Sequence, residues 1–195
     1  MTSNEPNSRR SDSDAVELLQ SVVEVARGIF GAAASSVFLL DRETNELVFQ
    51  AVAGQGEQFL VGTRFPAHRG IAGWVASSGD AMVVDDLNNN PTFARDLAES
   101  TSYVPNALMA APLIDRSEVL GVLEVLDPAP QARSDLAELD LLLLFASQAA
   151  TALRMVLAQR YQAESAALNA LRQLSTEDRA AGLQLLDALR DLLSA

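Results

Sequence analysis

The chain contains no cysteine. That absence removes disulfides, thiolate metal sites, thiol redox chemistry and any thioether-linked cofactor. Lysine is missing too. All 14 basic residues are arginine, so neither a Schiff-base amine nor the lysine of a phosphate-binding P-loop is available. Histidine and tryptophan occur once each, as His68 and Trp74. Nothing approaches the ~20 uninterrupted apolar residues of a membrane-spanning helix. The densest run, LDLLLLFASQAATAL, is broken by Asp140, Ser147, Gln148 and Thr151. No N-terminal run resembles a signal peptide. A soluble, cytoplasmic protein is expected.

Acids outnumber bases 26 to 14, a net charge of −12 spread along the chain. Such a field repels nucleic acid and anionic membrane, so neither is expected as a partner. Hydrophobic residues make up 49% of the 195, enough for a packed core. Only residues 1–13, which lack an apolar run, read as a disordered tail.

Ser13 or Asp14 is expected to cap a helix reaching Phe30, with Val16, Leu19, Val23 and Ala26 at helical spacing and Gly31 ending it. SSVFLLD (35–41) and LVFQAVA (47–53) read as a hairpin around the turn RETNE. A short helix follows at 71–78, then the strand AMVVDD, a turn at NNNP, and a helix opened by Pro91 that runs to Glu99. NALMAAPLID and VLGVLEVLD read as two more strands. From Ser134 onward the pattern is helical: Leu136, Leu139, Leu143, Ala146, Ala150, Leu153 and Leu157 step by three and four. The register continues through Arg160, Glu164 and Leu171, and STED (175–178) restarts a final short helix. Hairpins interrupted by helices predict an α+β fold, not a parallel nucleotide-binding sheet.

The stretch RGIAGWVASSG (69–79) raises the question of phosphate binding. Its glycine spacing fits neither the dinucleotide nor the P-loop pattern, and no lysine completes the latter. The structural alternative is preferred. Gly70 then provides a turn, Gly73 lets the helix approach the sheet, and Gly79 caps it, with Ile71, Trp74 and Val75 facing the sheet.

That stretch, followed by VVDD, by PTF-x-x-D and by ALMAAPLIDRSEVLGVLEVLD, resembles the GAF domain, a small-molecule sensing and dimerisation module. The resemblance spans about residues 14 to 157 and leaves 158–195 as a helical extension. It implies a six-stranded antiparallel sheet flanked by helices, a ligand pocket roofed by Gly70 to Tyr103, and terminal helices behind the sheet that often pair with a second subunit.

Several activities of GAF domains do not survive a residue check. Free methionine sulfoxide reduction and covalent bilin attachment use cysteines. Cyclic-nucleotide domains carry an N-K…F-x3-D-E motif after the last strand, where this chain has DPAPQARSDLAE, with Asp127 and Pro128 in place of Asn-Lys. His68, in the loop FPAHRG, reads as solvated and not as a haem ligand. Asp85, Asp86 and Asp96 suit a hard cation by type, but adjacent strand residues point to opposite faces. No metal is expected, no Ser/His/Asp arrangement is present, and no catalytic residue is assigned.

A noncovalent pocket remains. Its candidate lining is Phe38, Leu40, Trp74, Asp86, Phe93, Arg95, Tyr103, Met109 and Ala111. Phe38, Phe93, Met109 and Trp74 serve equally as core. Arg95 either pairs an anionic ligand or bridges Asp96 or Glu99. The candidate dimer face follows the helical seam: Leu139, Leu143, Ala146, Ala150, Leu153, Leu157, Arg160, Glu164 and Leu171. The resulting expectation is a noncatalytic, homodimeric GAF protein that senses a small molecule in signal transduction. Output would pass through its C-terminal helices or a signalling partner. The alternative is a ligand-free adaptor.

Overall fold

The computed structural model describes residues 5–55, 59–101, 103–129 and 136–173. Among these, residues 13–156 belong to one compact unit, and residues 5–12 with 157–173 belong to a second. The elements run α1 (Glu5–Ile29), β1 (Ala34–Asp41), β2 (Glu46–Gly54), β3 (Arg64–Pro66), α2 (Gly70–Ser78), β4 (Met82–Val84), α3 (Arg95–Ser100), β5 (Leu108–Asp115), β6 (Glu118–Leu126) and α4 (Leu136–Gln173). The strands make one six-stranded sheet in the order β3-β2-β1-β6-β5-β4, antiparallel at every pairing. The α+β architecture expected from the sequence is present. No helix among the described residues is long and apolar enough to cross a membrane.

Period-two alternation divides the central strands between two cores. Leu123 and Val125 of β6 join Val37, Met109, Ala111 and Leu113 on the rear face, beneath α1 and α4. Leu19, Val23, Ala26 and Phe30 come down from α1, and Leu142, Ala146, Ala150 and Leu153 from α4. Each large apolar side chain buried there contributes on the order of 1.5–3 kcal/mol. Arg154 of α4 also donates to Asp115 at 2.7 Å, pinning the helix to the end of β5. The front face carries Phe38, Phe49, Phe65, Leu108 and Val122 and is covered by Ile71, Ala72 and Val75 of α2.

Several local expectations need correction. The first helix begins at Glu5, not at Ser13 or Asp14. A three-residue edge strand, β3, stands where only a loop was read, and it pairs with β2 through Arg64 to Pro66. The strand read as AMVVDD is confined to Met82–Val84. Asp86 ends it by accepting the Asn88 amide and starting a 3-10 turn over Leu87–Asn89. Pro91 does not open a helix. Asn90 accepts the Thr92 amide in an Asx-type turn, and α3 starts only at Arg95. Gly73 makes room for the preceding loop, not for the sheet: a Cβ there would stand 2.7 Å from the His68 carbonyl carbon. Trp74 points outward, leaving Ile71, Ala72 and Val75 to pack. The final helix read at 175–195 lies outside the described residues.

Candidate functional site

The front core does not close completely. A cavity of about 90 Å³ lies between the sheet, the start of α2 and the segment from Phe93 to Pro105. By that measure one water needs ~10–15 Å³, so the space takes a molecule of several heavy atoms. Phe38, Phe49, Val52, Phe65, Leu108 and Leu126 wall it from the sheet side, and Ile71 and Ala72 from α2. The three phenyl rings form a cluster, with centroids 4.4 Å apart for Phe38–Phe49 and 5.3 Å, edge to face, for Phe38–Phe65.

Local chemistry holds α2 and the outer wall in place. Gly70 starts α2 at φ +70°, and Gly79 closes it at φ +73° by donating its amide to Val75 O. Arg69 reaches across to Asp96 of α3, with contacts of 2.6 and 2.8 Å to its two carboxylate oxygens. That pairing holds the Asp96 carboxyl below its ordinary range. At the other end, Tyr103 donates its hydroxyl to the Asp127 carboxylate. The same carboxylate accepts the Asn106 and Ala107 amides, each at 2.9 Å. Burial, followed by the neighbouring Asp127, pushes the Tyr103 phenol upward, so it remains a donor throughout the physiological range. Tyr103→Phe removes this one bond to a charged acceptor. It is expected to lower stability by about 1–2 kcal/mol in urea unfolding; an unchanged midpoint would mean the clamp contributes nothing.

One carboxyl side chain lies in the cavity floor. Glu124 of β6 sits between Ser36 on β1 and Ala110 on β5, two small residues that leave the space above it open. It is only 8% exposed. Among the described residues no donor reaches its carboxyl, and burial alone pushes it up to about 8.

The cavity gathers some of the residues expected from sequence and leaves out others. Phe38, Phe93 and Tyr103 line it. Leu40 shares the front face but packs beyond the cavity. Trp74 is 39% exposed on the outer side of α2. Asp86 is spent on its turn, accepting from Asn88 N and Asn89 Nδ2. Arg95 neither faces the cavity nor bridges an acid. It donates to Asn88 Oδ1 at 2.7 Å and lies over the Phe93 ring. Met109 and Ala111 belong to the rear core, one register step away from Leu108 and Ala110. Glu124, Arg69 and Ser36 were not foreseen. Glu124 had a visible signal, the lone charge inside the apolar run GVLEVL.

The expected dimer seam is likewise redistributed. Ala146, Ala150 and Leu153 are fully buried in the chain's own rear core, and Leu139 packs against it. The sheet, not a partner, covers that stripe. Leu143 remains exposed. The side chains of Leu157, Arg160, Glu164 and Leu171 lie outside the described residues.

The family model of the GAF domain matches residues 14–153. The chain belongs to the GAF domain family. Among curated proteins it is similar to the probable 3',5'-cyclic phosphodiesterase pde-5 of Caenorhabditis elegans, at 26% identity over 115 residues, which are 54% of this chain and 16% of that protein. It is also similar to the cone cGMP-specific 3',5'-cyclic phosphodiesterase subunit alpha' of Mus musculus, at 40% over 58 residues, 30% of this chain and 7% of that one. The GAF domain thus corresponds to a small part of these much longer proteins.

Solved structures agree on the fold. The GAF domain of a phosphoenolpyruvate-protein phosphotransferase from Coxiella burnetii superposes with a TM-score of 0.67 at 20% identity, covering 80% of this chain and 98% of that one. The second GAF domain of DevS from Mycobacterium smegmatis gives 0.62 at 20%, covering 76% and 99%. Free methionine-R-sulfoxide reductase from Neisseria meningitidis, in complex with its substrate, gives 0.57 at 24%, covering 80% and 89%. GAF domains are small-molecule-binding regulatory modules, and the fold also carries an enzyme.

Proposed function

We propose that this GAF domain is a noncatalytic regulatory module in signal transduction that holds a small molecule noncovalently and acts as a homodimer. The carrying observation is the cavity: apolar walls from the sheet and α2, an outer wall held by hydrogen bonds, and one carboxyl with no donor among the described residues, the composition of a ligand site. With no cysteine in the chain, the ligand is held without a thioether bond.

The pairing surface follows from what the rear core leaves uncovered. Val25 and Ile29 on α1 are exposed, as are Leu141, Leu144 (66%) and Met155 (59%) on α4. Leu141, Leu144 and Met155 share a helical stripe with Gln148 and Thr151 at three- and four-residue steps, next to the stripe that meets the sheet. Apolar side chains aligned in this way suit a second copy in a self-complementary contact. A signalling protein docked on the same stripe would compete with that copy.

Native mass spectrometry of the full chain, purified from its own host, tests both parts together. The expected spectrum is a dimer carrying a nonprotein mass. A variant with Leu141→Glu and Leu144→Glu should appear as a monomer that keeps the mass. A ligand-free dimer would overturn the sensor reading in favour of an adaptor, and a dimer in the double variant would overturn the stripe as the interface.

A further inference from the structure

We infer that the cavity selects a small organic cation, an ammonium group on a compact apolar body, with Glu124 as its counter-ion and the Phe38, Phe49 and Phe65 rings around the body. This deepens the ligand-binding reading above and rests on it. Four observations carry it. Glu124 lines the cavity and is 8% exposed as a residue, and its carboxyl, which keeps a little accessible surface, meets no donor among the described residues. A buried polar group without a partner costs free energy that a ligand bearing donors would recover. Ser36 and Ala110, its neighbours on either strand, are too small to cover it.

The other cavity groups exclude the opposite charge. Among the described residues Arg69 is the only basic one of the lining, and its guanidinium is already paired with Asp96. Tyr103, the other titratable group of the lining among the described residues besides Glu124, donates to Asp127 and stays neutral. An anion would therefore find no free cation among the described lining residues. A cation meets one acceptor, and three aromatic rings whose faces attract positive charge. The net charge of −12 draws cations towards the domain.

Binding also has a proton balance. In the empty domain Glu124 holds its proton up to about pH 8. An ammonium binds the carboxylate form, so near neutrality one proton leaves Glu124 for solvent as each cation enters. Affinity then rises about tenfold per pH unit from pH 6 towards 8 and levels off above. Arg69 and Tyr103 do not change charge over this range.

The test is titration calorimetry on the full chain with paired probes: ethylammonium against ethanol, benzylammonium against benzyl alcohol, and benzoate as the anion. The expected result is that one ammonium binds at least tenfold more tightly than its alcohol, that benzoate does not bind, and that about one proton is released at pH 6.5. Proton release is read from the dependence of the heat on buffer ionisation enthalpy, in the unaltered protein. Glu124→Gln should abolish both the preference and the release while the domain stays folded by circular dichroism. An alcohol bound as tightly as its ammonium, or an affinity flat from pH 6 to 8, overturns the cation and leaves the cavity as a ligand site. Binding of none of the probes overturns both.

Discussion

Between pH 5 and pH 8 the empty domain should lose on the order of 3–4 kcal/mol of stability through one residue, Glu124, and Glu124→Gln should remove most of that slope. Below the ordinary carboxyl value of 4.5, folded and unfolded chains both hold the proton and the residue costs nothing. As pH rises above it, the unfolded chain ionises freely while burial keeps the folded carboxyl protonated up to about 8. Stability therefore falls by about 1.4 kcal/mol per unit through this window and stops changing above it. Asp41 and Asp96, held low chiefly by Arg64 and Arg69, act in the opposite sense but below pH 4, outside the window. Urea unfolding at pH 5, 6.5 and 8 measures the slope. If wild type and Glu124→Gln give parallel lines, the carboxyl is not buried as described. A bound cation flattens the wild-type slope as well, so ligand-free protein is needed for the comparison.

Gly121→Ala should be the most damaging single-methyl change in the chain. Gly121 lies in the middle of β6, paired with Leu39 on β1 and Leu113 on β5, next to irregularities in register on both neighbours. A Cβ there would stand 2.0 Å from Phe38 O and 3.1 Å from Leu39 Cα. Both are backbone atoms, so no rotamer change relieves the clash. The two central strands must separate, breaking ladder bonds at the core of the sheet and shifting Phe38 in the cavity wall. A loss of about 3–5 kcal/mol, or no folded protein at all, is expected in thermal or urea unfolding. Gly28→Ala is the control. Nothing lies within 4 Å of a Cβ at that position in α1, and a helical glycine replaced by alanine gains up to ~1 kcal/mol. Equal midpoints for Gly121→Ala and wild type would contradict the close approach of β1 to β6.

Much of the fold was legible because its elements carry strong periodic signals. β1, β2, β5 and β6 appear at nearly their full lengths, and the turn roles of Gly70 and Gly79 follow from their positions around an apolar pair, Ile71 and Val75. The front and rear faces were harder to assign. LMAAPL in β5 is apolar at every position and buried on both sides, so alternation carries no mark of direction. Met109 and Ala111 were therefore read into the pocket. Pairing with β6 sets the phase, by placing Ala110 beside Glu124. β3 was invisible for a different reason. Three residues paired on one edge leave no pattern in the sequence. The stripe on α4 was correctly read as helical, but periodicity reports that a face is covered without saying by what. Ala146, Ala150 and Leu153 are covered by the chain's own sheet.

Asp127 gives the outer wall a property that no individual bond suggests. The Tyr103 hydroxyl and the Asn106 and Ala107 amides converge on one carboxylate at the end of β6. Displacing that carboxylate would loosen all three at once, so a substitution of Asp127 should disturb this end of the wall more than the loss of any one of its donors.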